Sequence, residues 1–401
     1  MSASPERSET DRFGVWQRNA LIVGGALVAV AVVIGLFRPA SFFRAYLIAF
    51  QFCLGVSLGC MVVMMIRHLT GGAWGMRLRP ILEAGAALIP VTAVMFLPLL
   101  VGLAFLYPWY PSDGSRAAAL PPHQMQWFNL PFFIVRAVIY FGIWTGFTVL
   151  LNRGPRRPNV PPFEEPPRIF RAVSAIGIAV YGLTITAASI DWSLSLDLPW
   201  FSTIYGAMYA GGQLLAGFGF AVLVMVVLSK GLPSQLLRDF GNLLLAFTMI
   251  WAYLSFSQYL LIWAGNLPEE TAYFRPRFDN GWQWFILLIL LAEFAAPFLL
   301  LLLKRTKVSP VLLGGVAGVS LVAHYLYLVW LTVPNLPDDS WDLLFFSPAL
   351  LVGLGGIWLG LFLWRLQRRP FATGAGSEPT ETEEPNATRS ALVQSFRGPH
   401  P

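Results

Sequence analysis

Residues 42–75 read "FFRAYLIAFQFCLGVSLGCMVVMMIRHLTGGAWG" and contain the pattern on which the fold depends. The stretch opens with a run of more than twenty mostly apolar residues, enough for one helix to cross a bilayer. The run gives way to Arg67 and His68, and the adjacent Gly71 and Gly72 are typical of the backbone that closes a helix C-terminus. The stretch therefore predicts a membrane helix that ends near His68.

The composition extends this prediction to nearly the whole chain. Hydrophobic residues make up 56% of the 401 positions and charged residues only 12%, about half their usual share in soluble proteins. The first 16 residues lack the features of a signal peptide, so we expect the first apolar run to be a retained helix. The fold class predicted is an all-α polytopic membrane protein with tails at 1–16 and 366–401, the second of them disordered.

The apolar windows divide the chain into ten predicted spans. They cover residues 17–36, 42–66, 81–106, 130–151, 170–190, 204–228, 240–264, 281–303, 309–331 and 344–364. The segment 152–169 is rich in proline, which a helix interior does not accept. We interpret it as a linker between a region of four spans at 17–151 and a region of six at 170–365.

The arginines and lysines predict how the spans are oriented. If both tails are cytoplasmic, 21 Lys and Arg residues lie on the cytoplasmic side and five on the other, with Arg136 inside a span. The five are Arg38, Arg44, Arg116, Arg275 and Arg277. Cytoplasmic loops carry such an excess, so we expect both termini in the cytoplasm and no nucleic-acid partner.

Cysteine and histidine are too few for most redox cofactors. The two cysteines, Cys53 and Cys60, form neither a CxxC nor a CxxCH motif, which excludes haem c and cysteine-held iron–sulfur clusters from this chain. The four histidines are His68, His123, His324 and His400. Only His324 falls within a predicted span, so a haem b held by two histidines is also excluded, and we predict no metal ligands.

Glu293 and His324 are the first candidate site residues because charge is costly inside a bilayer and demands a partner. Glu293 lies about twelve residues, or about 18 Å, into the eighth span, and His324 lies about 10 Å from the corresponding end of the ninth. The short segment "KRTKVSP" makes these spans antiparallel neighbours, so the two side chains can meet directly or through water. Such a pair serves either a proton path or a static link between helices.

Four further ionisable residues are candidate site residues. Asp191 ends the fifth span and Arg136 lies inside the fourth, so they can form a structural pair or the outer mouth of a proton path. Glu83 is expected at the cytoplasmic edge of the third span, where its side chain can reach water or serve as a proton entrance. His68 is expected to be part of the helix cap, where its charge favours the helix dipole, and is otherwise a ligand or a proton carrier.

Polar and aromatic side chains on two spans form a second candidate set. They are Tyr205, Tyr209 and Gln213 on the sixth span, and Tyr253, Ser257 and Gln258 on the seventh. The first three recur every four residues and define one face, which the other three are expected to oppose. Such donors suit a quinone head group, and hydrogen bonds between helices explain them equally well.

Several long motifs resemble one known family. "RHLTGGAWG", "FLPLLVGLAFLYPW", "DWSLSLDLPWFSTIYG", "LLLAFTMIWAYLSFSQYLLIWAGNLPEE" and "GWQWF" occur in this order within about residues 60 to 285. They resemble the ActF-type membrane subunit of bacterial alternative complex III, which is related to the NrfD and polysulfide-reductase membrane subunits. The resemblance implies two four-helix bundles with one peripheral helix at each end of the chain.

The resemblance also implies a function and partners. ActF-type subunits belong to a quinol-oxidising complex of the inner membrane, whose iron–sulfur clusters and c-type haems are held by other subunits. The quinol site is attributed to the sister subunit ActC, and ActF is assigned scaffolding and a proton route. The family often has histidines where this chain has Arg67 and "Leu198-Pro199", which argues against quinol binding here. A purely structural anchor and an independent secondary transporter are the alternative hypotheses.

Overall fold

A computed structural model describes residues 5–110, 121–152, 167–279, 281–333 and 340–368. Those residues form helices and connections without a β-strand, and they include ten helices long and apolar enough to cross a membrane. The spans are Phe13–Gly35, Pro39–Thr70, Ala73–Val101, Leu130–Asn152, Arg168–Asp197, Tyr205–Leu228, Ser234–Gly265, Trp282–Leu302, Pro310–Thr332 and Phe346–Gln367. The predicted all-α multi-pass membrane fold is confirmed.

The helix boundaries differ most from the predicted ones at the first and third spans. The first helix begins at Pro5, so most of the predicted tail at 1–16 is helical. The third span begins at Ala73, eight residues earlier than expected from hydropathy. Residues 153–166 of the predicted linker and 369–401 of the predicted C-terminal tail lie outside the described residues.

The spans are arranged as two four-helix bundles. The second to fifth spans pack around one another, and the sixth to ninth spans form an equivalent group. The first and tenth spans pack side by side and contact the bundles mainly through the second span. This arrangement agrees with the predicted two bundles and two peripheral helices, and it places the interface between bundles along the second and sixth spans.

Glycines let the second and sixth spans approach closely. A β-carbon on Gly59 would collide with the backbone carbonyl of Gln213, and one on Gly217 would collide with the backbone of Gly59. Small residues at such crossings are typical of membrane helices, where dispersion contacts replace the hydrophobic effect as the main attraction. The two bundles are therefore held in backbone-to-backbone contact through the centre of the protein.

The second span ends as its sequence predicts. It runs to Thr70, the Gly71 amide donates to the Arg67 carbonyl, and Gly71 and Gly72 have φ values of 69° and 96°. Only glycine adopts such values without strain, so the pair reverses the chain and starts the third span at once. We use "terminal face" for the membrane side at which the first span begins and the tenth ends.

Candidate functional site

The first bundle buries one ion pair near the face opposite the terminal face. Arg136 of the fourth span forms a fork with Asp191 of the fifth, with Nε 2.8 Å from Oδ2 and Nη2 2.7 Å from Oδ1. Arg136 is 5% exposed and Asp191 is fully buried. Two parallel hydrogen bonds between charged groups are among the strongest polar contacts in proteins. The structure thus brings together the pair expected from the sequence.

Neighbouring side chains complete the hydrogen bonding of this pair. Trp127 Nε1 donates to Asp191 Oδ1 at 2.8 Å, and the Tyr140 hydroxyl donates to Oδ2 at 2.9 Å. Asp191 therefore accepts four hydrogen bonds, two on each oxygen. The guanidinium also lies 4.3 Å from the ring centres of both Trp127 and Phe132. Both charges are held by fixed partners, which favours a structural role.

The second bundle contains a different kind of pair. His324 Nδ1 of the ninth span lies 3.0 Å from Glu293 Oε1 of the eighth, so the contact expected between these two residues is present. Glu293 is fully buried and His324 is 2% exposed. The other carboxylate oxygen, Oε2, has no hydrogen-bond partner within the part of the chain that the structure describes. This carboxyl group can take or release a proton at Oε2 without breaking its bond to His324.

The position of Glu293 depends on an irregular turn. Residues Leu290–Ala295 form a π-helix between the α-helices Trp282–Ile289 and Ala296–Leu302. Short π-helical turns often occur at functional sites because the wider turn changes where side chains project. Here the turn places the carboxyl of Glu293 against the ninth span.

A glycine of the sixth span makes room for the histidine. A β-carbon on Gly212 would collide with Cε1 of the His324 ring. The rings of Phe52 and Tyr327 lie 6.5 and 6.1 Å from that imidazole, centre to centre. The pair is thus enclosed by the second, sixth, eighth and ninth spans, at the centre of the protein.

A third buried pair, Arg277 with Asp197, was not predicted. Arg277 Nη2 lies 2.9 Å from Asp197 Oδ2 and 2.7 Å from the carbonyl oxygen of Leu331, and Nη1 donates to the carbonyl of Tyr273 at 2.8 Å. Asp197 Oδ1 has no hydrogen-bond partner among the described residues. Both residues lie at connections, which sequence reasoning takes to be exposed. Arginine is scarce in the connections on the face opposite the terminal face. This scarcity was the feature of the sequence that could have indicated a special role for Arg277.

The polar stripe of the sixth span faces the fifth span rather than the seventh. The Tyr205 hydroxyl lies 2.7 Å from Ser193 Oγ, and Gln213 Oε1 accepts a hydrogen bond of 2.8 Å from Tyr181. The Tyr205 and Tyr209 rings stack with centres 6.5 Å apart. Hydrogen bonds between helices thus account for Tyr205 and Gln213, two of the three stripe residues.

The expectation that Tyr253, Ser257 and Gln258 oppose this stripe was wrong. Tyr253 is 69% exposed and Ser257 is half-buried. Gln258 is buried and accepts a hydrogen bond of 2.6 Å from Ser202. Five residues correspond to about 140° around a helix of 3.6 residues per turn, so Tyr253 and Gln258 cannot both point at the stripe on the sixth span. Both line a largely apolar cavity of about 820 Å³ beside the seventh, eighth and ninth spans.

The structure links the candidates near the terminal face to other side chains. His68 Nδ1 lies 2.9 Å from Ser174 Oγ, so this histidine links the second span to the fifth as well as lying at the end of its helix.

Glu83 is buried and pairs with Arg79 at 2.7 Å, which corrects the prediction that it lies at the membrane edge. Hydropathy breaks off at the arginines of this stretch, whereas the helix begins at Ala73 and so places Glu83 ten residues inside the span.

No protein-family model matches the sequence, and no curated protein matches it either. Within the described ranges, no group of three or more His, Cys, Asp and Glu residues is placed to hold a metal ion. The three buried pairs are therefore the chemical groups from which a function can be argued.

Proposed function

We propose that this chain is a membrane subunit of a quinol-oxidising electron-transport complex, in which it supports the assembly and conducts protons through its second bundle. In this proposal Glu293 and His324 are the proton carriers, and the Arg136–Asp191 pair is structural. Quinol, iron–sulfur clusters and c-type haems are bound by partner subunits, among them an ActC-type sister subunit, an iron–sulfur subunit and multi-haem cytochromes.

One observation carries the proton-conducting role. Glu293 is fully buried in the second bundle, yet one of its carboxylate oxygens has no hydrogen-bond partner among the described residues. A buried polar atom without a partner costs about 1–3 kcal/mol, so a purely structural pair gains nothing from it. A carboxyl group that must accept and release protons needs that oxygen free.

The chemistry of the pair follows from the contact between Oε1 and the imidazole. When Glu293 is ionised, the N–H of His324 donates to Oε1 and stabilises the carboxylate. When a proton arrives at Oε2, an O–H bond forms there and the pair loses one negative charge. Release of that proton restores the first state, and no electron moves at any point. The resident side chains thus alternate between two protonation states in one geometry.

The orientation in the membrane is part of the same proposal. The terminal face carries most of the Lys and Arg residues, as cytoplasmic faces do. We therefore assign the termini to the cytoplasm and the chain to the bacterial inner membrane. On this assignment, Asp191, Asp197 and Arg277 lie toward the outer side, and Glu83 and His68 toward the cytoplasm.

The variant Glu293→Gln tests this role in the assembled complex reconstituted into vesicles. We expect electron transfer to persist and proton transfer through this subunit to slow by about a hundredfold or more, the least that one positioned acid–base group contributes. Glu269→Gln is the matched control, because Glu269 is exposed in the connection after the seventh span. It should behave like the unaltered protein.

Other outcomes separate the alternatives. An unchanged ratio of protons to electrons in Glu293→Gln would favour a structural anchor. Solubilisation distinguishes a subunit from an independent transporter, since the proposal expects this chain to leave the membrane with multi-haem and iron–sulfur partners. A stable particle composed of this chain alone would contradict membership of the complex.

A further inference from the structure

The Arg277–Asp197 pair lies directly above the Glu293–His324 pair along the ninth span. Arg277 donates to the carbonyl of Leu331, which is seven residues beyond His324 in the same helix. Seven residues of α-helix correspond to about 10 Å. The direction from His324 to Leu331 leads to the face opposite the terminal face. Asp197 is thus the next buried carboxylate met beyond Glu293 on this side of the second bundle.

Asp197 is bound much less completely than Asp191, although both are buried aspartates paired with arginine. Asp191 accepts four hydrogen bonds, whereas the Asp197 side chain accepts one, from Arg277, and its Oδ1 has no partner among the described residues. One oxygen of Asp197 therefore remains available, as it does in Glu293.

Arg277 is fixed independently of Asp197. It donates to two backbone carbonyls and lies 3.6 Å above the ring centre of Tyr273. Burial raises the pKa of Tyr273 well above its usual value, so this phenol stays neutral. Arg277 consequently keeps its position whether Asp197 is ionised or neutral.

Tyr327 occupies the space between the two pairs. Its ring centre lies 6.1 Å from that of His324 on one side and 6.2 Å from that of Trp330 on the other. The Arg277 guanidinium lies 5.7 Å from the same Trp330 ring. Tyr327 also lies within electrostatic range of both Glu293 and Arg277. Its hydroxyl can assist water in carrying a proton between the carboxylates.

We propose that Asp197 accepts the proton that Glu293 releases and passes it to the face opposite the terminal face, with Arg277 holding its charge. In this step the O–H bond at Glu293 Oε2 breaks, water relays the proton, and an O–H bond forms at Asp197 Oδ1. The negative charge moves from Asp197 to Glu293, and no electrons are transferred. The inference rests on the proposed function and extends it to the exit side of the path.

The variant Asp197→Asn in the assembled complex tests this inference. We expect electron transfer to persist and proton transfer to slow by about a hundredfold, as for one lost acid–base group. Asp197→Glu retains a titratable group with a longer side chain, so it should restore proton transfer and shift the pH at which the rate is half-maximal. Asp279→Asn is the matched control, because Asp279 is an exposed aspartate two residues after Arg277 and its loss should leave proton transfer unchanged.

The outcomes distinguish the inference from the proposed function. If Glu293→Gln stops proton transfer and Asp197→Asn does not, the exit role of Asp197 is wrong and the proposed function stands. If neither variant changes it, the proposed function is wrong. Should Asp197→Asn fail to assemble, the pH profile of Asp197→Glu decides. A profile unchanged from that of the unaltered protein would contradict the inference.

Discussion

The two bundles each bury a carboxylate against a cationic or ionisable partner, and they do so in opposite ways. In the first bundle, Asp191 accepts four hydrogen bonds from Arg136, Trp127 and Tyr140. In the second, Glu293 contacts His324 through one oxygen and leaves the other without a partner among the described residues. A buried charge alone therefore does not indicate function, and the number of hydrogen bonds that it accepts is the basis on which we propose that one pair is structural and the other carries protons.

The backbone conformation also differs between the two carboxylates. Asp191 lies in the last turn of a regular α-helix, Arg168–Trp192, whereas Glu293 lies in a π-helical turn. The regular helix and the four hydrogen bonds hold the carboxylate of Asp191 in one position. Glu293 lies in a wider turn and has one carboxylate oxygen without a partner among the described residues, which suits a group that we propose changes its charge.

The largest expected effect is on the first pair. Arg136→Met should lower the free energy of unfolding by about 3–5 kcal/mol, because it leaves the buried charge of Asp191 without its counterion. Unfolding in mixed detergent and SDS, followed by circular dichroism, measures this. Arg275→Met is the control, since Arg275 is exposed and its loss should cost little. If Arg136→Met and Arg275→Met were equally stable, the Arg136–Asp191 pair would not be a structural pair. The proposed difference between the two bundles would then be contradicted.

A smaller effect is expected from filling the space beside His324. Gly212→Ala forces the imidazole away from its position, and such overpacking costs about 1–3 kcal/mol. The same variant should also impair proton transfer, since His324 can no longer face Glu293. Gly146→Ala is the control, because no atom lies within 4 Å of the added carbon there. It should be neutral or stabilise its helix by up to about 1 kcal/mol. Normal proton transfer in Gly212→Ala would show that the histidine position is unimportant.

Hydropathy and charge were sufficient to predict the spans and two of the three pairs. A helix needs about 20 apolar residues to cross a bilayer, so the ten segments stand out in the sequence. Glu293 and His324 could be paired because a short connection makes their spans antiparallel neighbours. Arg136 and Asp191 could be paired because each is an isolated charge near the same face.

The features that were missed depend on packing that a single sequence does not display. Arg277 and Asp197 lie at connections that fold back over the second bundle, so their burial is a tertiary effect. The π-helical turn at Leu290–Ala295 has no signature in the apolar run around it. The wrong orientation of Tyr253 came from grouping polar residues by proximity in sequence, where helical rotation separates them by about 140°.

The central claim is that Glu293 changes its protonation state while Asp191 does not, and infrared difference spectroscopy of the working complex tests it most directly. We predict a carbonyl-stretch band of a protonated carboxyl group that appears and disappears with turnover, is lost in Glu293→Gln and persists in Glu269→Gln. A band that survives in Glu293→Gln, or the absence of any carboxyl band during turnover, would contradict the account.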